Sequence, residues 1–190
     1  MIIAKLISII LHPFLLSTGA FAIILYYSSL PSIKFLEILA VIFIATVIAP
    51  LIQVYTMKKQ GKTSSLDIPE REKRITPFLI STVIYLLALG IMWLINAPTA
   101  TLILMWAYAF NTTVATIITR SWKISIHSMA LGGPIAALGM AVSPHYYWAI
   151  PLFIPLLYSR VTLKAHTIPQ VIAGFTLGFI LTVLHFILLG

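Results

Sequence analysis

The sequence predicts an all-α integral membrane protein, a bundle of six or seven transmembrane helices, and three observations carry that prediction. Hydrophobic residues fill 61% of the 190 positions and charged residues only 8%, with a mean hydropathy of +1.07. A soluble domain of this size charges about a quarter of its residues to cover its surface, so this composition suits a chain whose main solvent is lipid. Apolar stretches of roughly span length recur along the whole chain. Finally, the basic residues fall almost entirely on one side of the implied bundle.

Taken in order, the apolar stretches occupy 8–28, 35–57, 78–96, 98–118, 125–142, 145–158 and 168–189. The N-terminal run MIIAKLISIILHPFLL begins like a signal peptide, with a basic residue before an apolar run. It lacks a small-residue cleavage site and continues into more apolar sequence, so it reads as the first span. Met57–Thr76 is the only substantial polar loop. Asn96-Ala97-Pro98 makes an uncharged helical hairpin. The sixth stretch holds Pro144, Pro151 and Pro155 and reads as tilted, broken or partly spanning, which leaves the count at six or seven. The whole of 1–190 forms a single transmembrane domain without internal repeats.

With seven spans, eleven of the twelve lysines and arginines share one side and Lys34 stands alone on the other. The positive-inside rule then puts the N-terminus and the charged side in the cytoplasm. The compact size and lack of eukaryotic targeting features point to a prokaryotic cytoplasmic (inner) membrane. A net charge of +8 would suggest nucleic acid in a soluble protein; here it reads as topology plus an anionic ligand, with no nucleic-acid partner. Lys58, Lys59 and Lys62 are topology determinants or lipid-headgroup contacts. No cysteine is present, which excludes disulfides, thiolate metal sites and cysteine nucleophiles. Asp67, Glu70 and Glu72 share one loop, and the span interiors carry no carboxylate, which argues against a proton- or cation-coupled transporter. A small channel or transporter remains an alternative.

Three polar clusters lie at span ends on the charged side: Glu70–Pro77, Ser121–His127 and Ser159–His166. They supply two histidines, several cationic side chains and two helix N-termini, with Ser125 as a cap of the fifth helix and Thr167 with Pro169 at the start of the last. That inventory suits phosphate, which helix N-termini and arginine forks both bind. Few carboxylates lie nearby and neither histidine has an HExxH-type partner, so no metal is expected.

The third cluster reads S-R-x5-H and resembles the last motif, S-R-x5-H-x3-D, of the type 2 phosphatidic acid phosphatase (PAP2) superfamily. Ser159, Arg160 and His166 match it, while Gln170 stands where the family has aspartate. Ile124-Ser125-Ile126-His127 looks like a degenerate P-S-G-H. Arg74 with Pro77 loosely matches K-x6-R-P, although Asp67 stands at the lysine position and Lys73 or Arg71 would serve instead. The resemblance runs over roughly 67–180, implying a PAP2-like core at about 67–189 behind two N-terminal spans at 8–57.

That resemblance implies a metal-independent, cofactor-free membrane lipid phosphatase or diphosphatase acting on an isoprenoid or glycerophospholipid phosphate, with membrane lipids as its surroundings. His166 would attack phosphorus and form a phosphohistidine, and His127 would protonate the leaving oxygen. Arg160 and Arg74, with Lys73, Arg71 and Ser125, would bind the phosphate, and Gln170 would orient His166. Asp67, Glu70 or Glu72, folded over the site, would replace the missing aspartate. The alternative is a catalytically impaired relative that binds or moves phosphorylated lipids. His12, His145 and His185 read as ordinary packing or surface histidines, Trp122, Tyr146, Tyr147 and Trp148 as an interfacial aromatic belt, and Gly132-Gly133, Gly174 and Gly178 as close helix packing.

Overall fold

The computed structural model describes every residue except Ser64 and Leu66. Its described residues form helices and connecting turns: α1 (Ile2–Ile10), α2 (Pro13–Tyr27), α3 (Ser32–Phe43), α4 (Ala49–Lys59), α5 (Ile75–Leu94), α6 (Thr99–Thr119), α7 (Ile126–Ala141), α8 (Phe153–Thr162) and α9 (Ile168–Leu189). Among the described residues, five helical stretches are long and apolar enough to cross a bilayer: Ile2–Tyr27, Ser32–Lys59, Glu72–Leu94, Thr99–Thr119 and Ile168–Leu189. They coincide with five of the expected spans. The fifth expected span is the shorter apolar helix Ile126–Ala141. The sixth is a 3-10 segment, Pro144–Leu152, followed by the ten-residue α8.

Two long stretches are interrupted, each for a local reason. The first breaks at His12 because Pro13 disfavours the α conformation in the residue before it; His12 is extended, at φ −71° and ψ 140°. Between α3 and α4 the helix widens into a π turn over Ile44–Ile48, just ahead of Pro50, which has no N–H to continue the regular ladder. None of α4's residues is buried, and it leans on the π turn and α5.

The core at the end away from the charged clusters is apolar, with Phe21, Ile24, Ile38, Ile42, Met92 and Leu104 almost wholly enclosed. Near the charged end, α7 and α9 pack backbone to backbone. A Cβ on Gly178 would lie 2.5 Å from the Met129 carbonyl oxygen, and one on Gly174 2.5 Å from that of Ser125. Gly132 meets Phe175 in the same way, so the glycine-mediated packing read from the sequence is present. These approaches rise together along both helices, so α7 and α9 run parallel, and the 144–162 segment carries the chain back between them. Of the aromatic residues at that return, Trp148 is exposed, whereas Tyr147 turns inward over Gly139 and Phe179.

The α7–α9 seam sets the separation of the helix ends that carry His127 and His166. Gly178→Val should therefore lower the thermal midpoint of the detergent-purified protein by several degrees, since backbone on both sides leaves the new methyls nowhere to go. Val substituted at Gly90, whose Cβ would meet nothing within 4 Å, serves as the control and should change it far less.

Candidate functional site

A cavity of about 240 Å³ opens near the charged ends of the helices and runs inward. Its mouth is lined by His12, Asp67, Arg74, His127, Arg160 and His166, drawn from four separate stretches of the chain. Both histidines and both arginines of the expected site thus face one space.

His166 sits in the turn between α8 and α9. Its Nδ1 lies 3.2 Å from Gln170 Oε1, which also accepts the Thr167 N–H at 3.1 Å. Because that N–H needs an acceptor, the amide must turn its oxygen towards His166, so His166 donates from Nδ1 and leaves Nε2 with a free lone pair. Gln170 is the third residue of α9 and closes a capping box with Thr167. One side chain therefore caps the helix and fixes the imidazole tautomer. Burial, then the charges of Arg74, Arg160 and Lys123, push the His166 pKa down to about 3, so it is a neutral imidazole at physiological pH.

Protonating His166 must therefore oppose folding. Its folded pKa of about 3 is below the unfolded value near 6.5, so stability is greatest above pH 6.5 and declines as pH falls towards 3. Melting curves in detergent should show that decline between pH 7 and 4, with a shallower slope in His166→Asn. Asp67 contributes in the same direction at lower pH: burial opposes its ionisation, but His127 and Arg160 outweigh it and hold the carboxyl below its usual range.

Arg160, on the last turn of α8, is 1% exposed. It donates to Ser8 Oγ at 2.8 Å and to Asp67 Oδ2 at 3.0 Å, while its Nε has no partner among the described residues. Ser159 beside it donates to the Ala4 carbonyl at 2.6 Å, tying α8 to α1. Arg74 donates from Nε to the Ile68 carbonyl at 2.7 Å and from a terminal nitrogen to that of Asp67 at 3.0 Å. Both guanidinium groups thus hold the 67–68 segment across the mouth. Asp67 does fold over the site, but its carboxylate pairs with Arg160 and the orienting contact to His166 belongs to Gln170. Glu70 and Glu72 do not reach the site: they pair with Lys73 at 3.3 Å and Arg71 at 2.7 Å.

Lys73 and Arg71 form those pairs at the exposed surface and stay outside the cavity lining. Ser125 is fully buried and also stands back from the cavity: its Oγ accepts the Ser128 N–H as the cap of α7, and its own N–H donates to the Gln170 carbonyl at 3.3 Å. Of the expected phosphate ligands, Arg74 and Arg160 remain at the mouth. Lys123 adds a nearby positive charge; burial, then Arg74 and Arg160, lower its own pKa.

His12 belongs to this site, against its reading as a packing residue. Its ring lies 5.1 Å from that of His127 at 85°, and with Asp67 the two histidines bring potential ligand atoms within 4.8 Å of one another. His12 Nδ1, however, accepts the Phe14 N–H at 3.2 Å as the cap of α2. The neutral ring then carries its proton on Nε2, which makes that atom a donor where a metal would need a lone pair. Arg160 already occupies one Asp67 oxygen. The donor set fits an anion better than a cation. His127 Nε2 is buried without a partner among the described residues, an imidazole nitrogen with bonding capacity to spare.

Fold and site together define an all-helical bundle with a basic, imidazole-rich mouth on a deep cavity. Comparisons with protein-family models, curated proteins and solved structures give no match.

Proposed function

We propose that the protein is embedded in a membrane and releases phosphate from a phosphorylated lipid by way of a phosphohistidine at His166. The observation carrying this reading is that Arg74, His127 and the Arg160–His166 motif, from three separate stretches of sequence, line one cavity. His166 presents an unprotonated Nε2 to attack phosphorus, and the phosphoryl group passes to that nitrogen as the bond to the lipid oxygen breaks. His127 takes up a proton as the anionic phosphate binds beside it and gives that proton to the departing oxygen; water then attacks the phosphohistidine and restores His166. Arg160 and Arg74 stabilise the phosphoryl oxygens, and His12 Nε2–H adds a neutral donor. The PAP2 superfamily resemblance and the charge asymmetry support the same reading, with the site on the cytoplasmic side.

The test is phosphate release by detergent-purified protein in EDTA from phosphatidic acid, phosphatidylglycerophosphate, and farnesyl and undecaprenyl phosphates and diphosphates. Release from any one of them supports the proposal. Silence from folded protein favours a second reading, binding without turnover, for which two observations speak: Gln170 carries no charge, and Asp67 occupies Arg160.

Asp67 competes with a phosphate for Arg160 in either reading. Asp67→Asn should bind inorganic phosphate about tenfold more tightly, the effect of removing about 1.4 kcal/mol of competing attraction. Isothermal titration would show it; weaker binding by the variant would mean that Asp67 assists the anion.

A further inference from the structure

Past its mouth the cavity is not simply a hydrocarbon slot. Asn111 on α6 is 8% exposed and donates to Thr182 Oγ1 on α9 at 3.2 Å, but its Oδ1 has no partner among the described residues. Tyr108, one turn earlier on α6, has a buried hydroxyl with no partner within hydrogen-bond distance among the described residues, the nearby Ser17 hydroxyl donating instead to the Phe14 carbonyl, and neither amide atom of Gln53 on α4 is partnered among them. All three residues line the cavity, and so do Ala130 and Pro134 on α7. Pro134 has no N–H to give the Ala130 carbonyl, which leaves that acceptor without its usual helical donor. An unmade hydrogen bond at a buried polar atom costs roughly 1–3 kcal/mol, so a cluster from three helices implies an occupant that can satisfy it.

The depth of this chamber limits what that occupant is. Gly133 faces Thr182 Oγ1 and lies six residues beyond His127, roughly 9 Å at the helical rise. A phosphate held at the mouth therefore places the first several atoms of its organic group beside Asn111 and Tyr108. A saturated or isoprenoid chain would desolvate those groups and give nothing back. A short linker bearing ester carbonyls or hydroxyls would accept from Tyr108 and Gln53 and donate to Asn111. The chain can enter from the side, since Leu51 on the weakly packed α4 is 39% exposed at the cavity wall.

We infer that Asn111, Tyr108 and Gln53 form a second, neutral subsite that selects phosphate amphiphiles carrying hydrogen-bonding groups directly behind the phosphate over those with hydrocarbon there. The inference rests on the phosphate reading of the mouth and adds to it the residues that choose the substrate.

Equilibrium competition on purified protein tests it with two probes of similar chain length, dodecyl phosphate and 1-lauroyl-glycerol-3-phosphate. Wild type should prefer the glycerol-linked probe at least tenfold. Tyr108→Phe, which removes only the hydroxyl, and Gln53→Leu, on a helix with no buried residue, should each reduce that ratio several-fold without weakening dodecyl phosphate. Asn111→Leu should reduce it further. Equal affinities in wild type, or a ratio that none of the variants moves, would overturn the subsite while leaving the phosphate site standing. Failure of both probes to bind folded protein would remove the phosphate reading, and this inference with it.

Discussion

Replacing His166 with alanine is expected to reduce phosphate release by at least about four orders of magnitude, to the background level, while phosphate binding weakens no more than about tenfold. The magnitude follows from what is removed: losing a nucleophile leaves only positioning and charge stabilisation, as deletions within catalytic groups that act as a unit show. Binding should survive because Arg160 and Arg74 are held from other directions, by Ser8 and Asp67 and by the carbonyls of residues 67 and 68. Release assayed beside phosphate titration separates the two effects. A variant that keeps a tenth of wild-type release would place the nucleophile elsewhere.

The opposite effect is expected at Gln170. Gln170→Glu should raise turnover by about 10²–10⁴-fold, the upper figure being the loss seen when an amide replaces the orienting carboxylate of a catalytic triad. Glutamate has the length of glutamine, so it keeps the reach to Thr167 N–H and His166 Nδ1, and a negative charge suits the first turn of a helix. Aspartate, the residue suggested by the PAP2 motif, is one methylene shorter and sacrifices that capping geometry. The new carboxylate also favours protonated His166, raising its pKa from about 3 and moving the acid limb of the rate profile to higher pH. Unchanged turnover with a shifted pH profile would show that orientation of His166 does not limit the reaction.

Much of the fold was legible because hydropathy and helix length share one cause, the thickness of a bilayer. The hairpin at Asn96–Pro98, the broken sixth segment and the Gly174–Gly178 face each follow from single residues whose constraints are local. The mouth of the site was half legible. His127, His166, Arg74 and Arg160 could be found because each sits at a span end beside other polar groups. His12 was hidden in an apolar run, and its only signal was the proline after it, which breaks the helix and turns an imidazole into a cap. The positions of Lys73, Arg71 and Ser125 depended on which local partner won: Glu70, Glu72 and the start of α7 hold them away from the cavity. Asp67 was recognisable as a carboxylate able to fold over the site, but its choice of Arg160 over His166 is a matter of three-dimensional placement. The inner chamber gave little pattern, since Tyr108 and Asn111, one turn apart on α6, and Gln53 on α4 are single polar residues within apolar helices.

Phosphoryl transfer to His166 is a covalent step at one nitrogen, and the most direct measurement is to trap it. Gln170→Glu protein would be mixed with a ³²P-labelled lipid phosphate that it turns over and quenched in alkali within the first turnover. The expected result is label on the protein that is stable to alkali, released by acid, mapped to the peptide containing His166, and absent from the His166→Ala counterpart. Phosphate release at full rate with no acid-labile label on that peptide would contradict it, leaving direct attack by water in a cavity that only holds the phosphate.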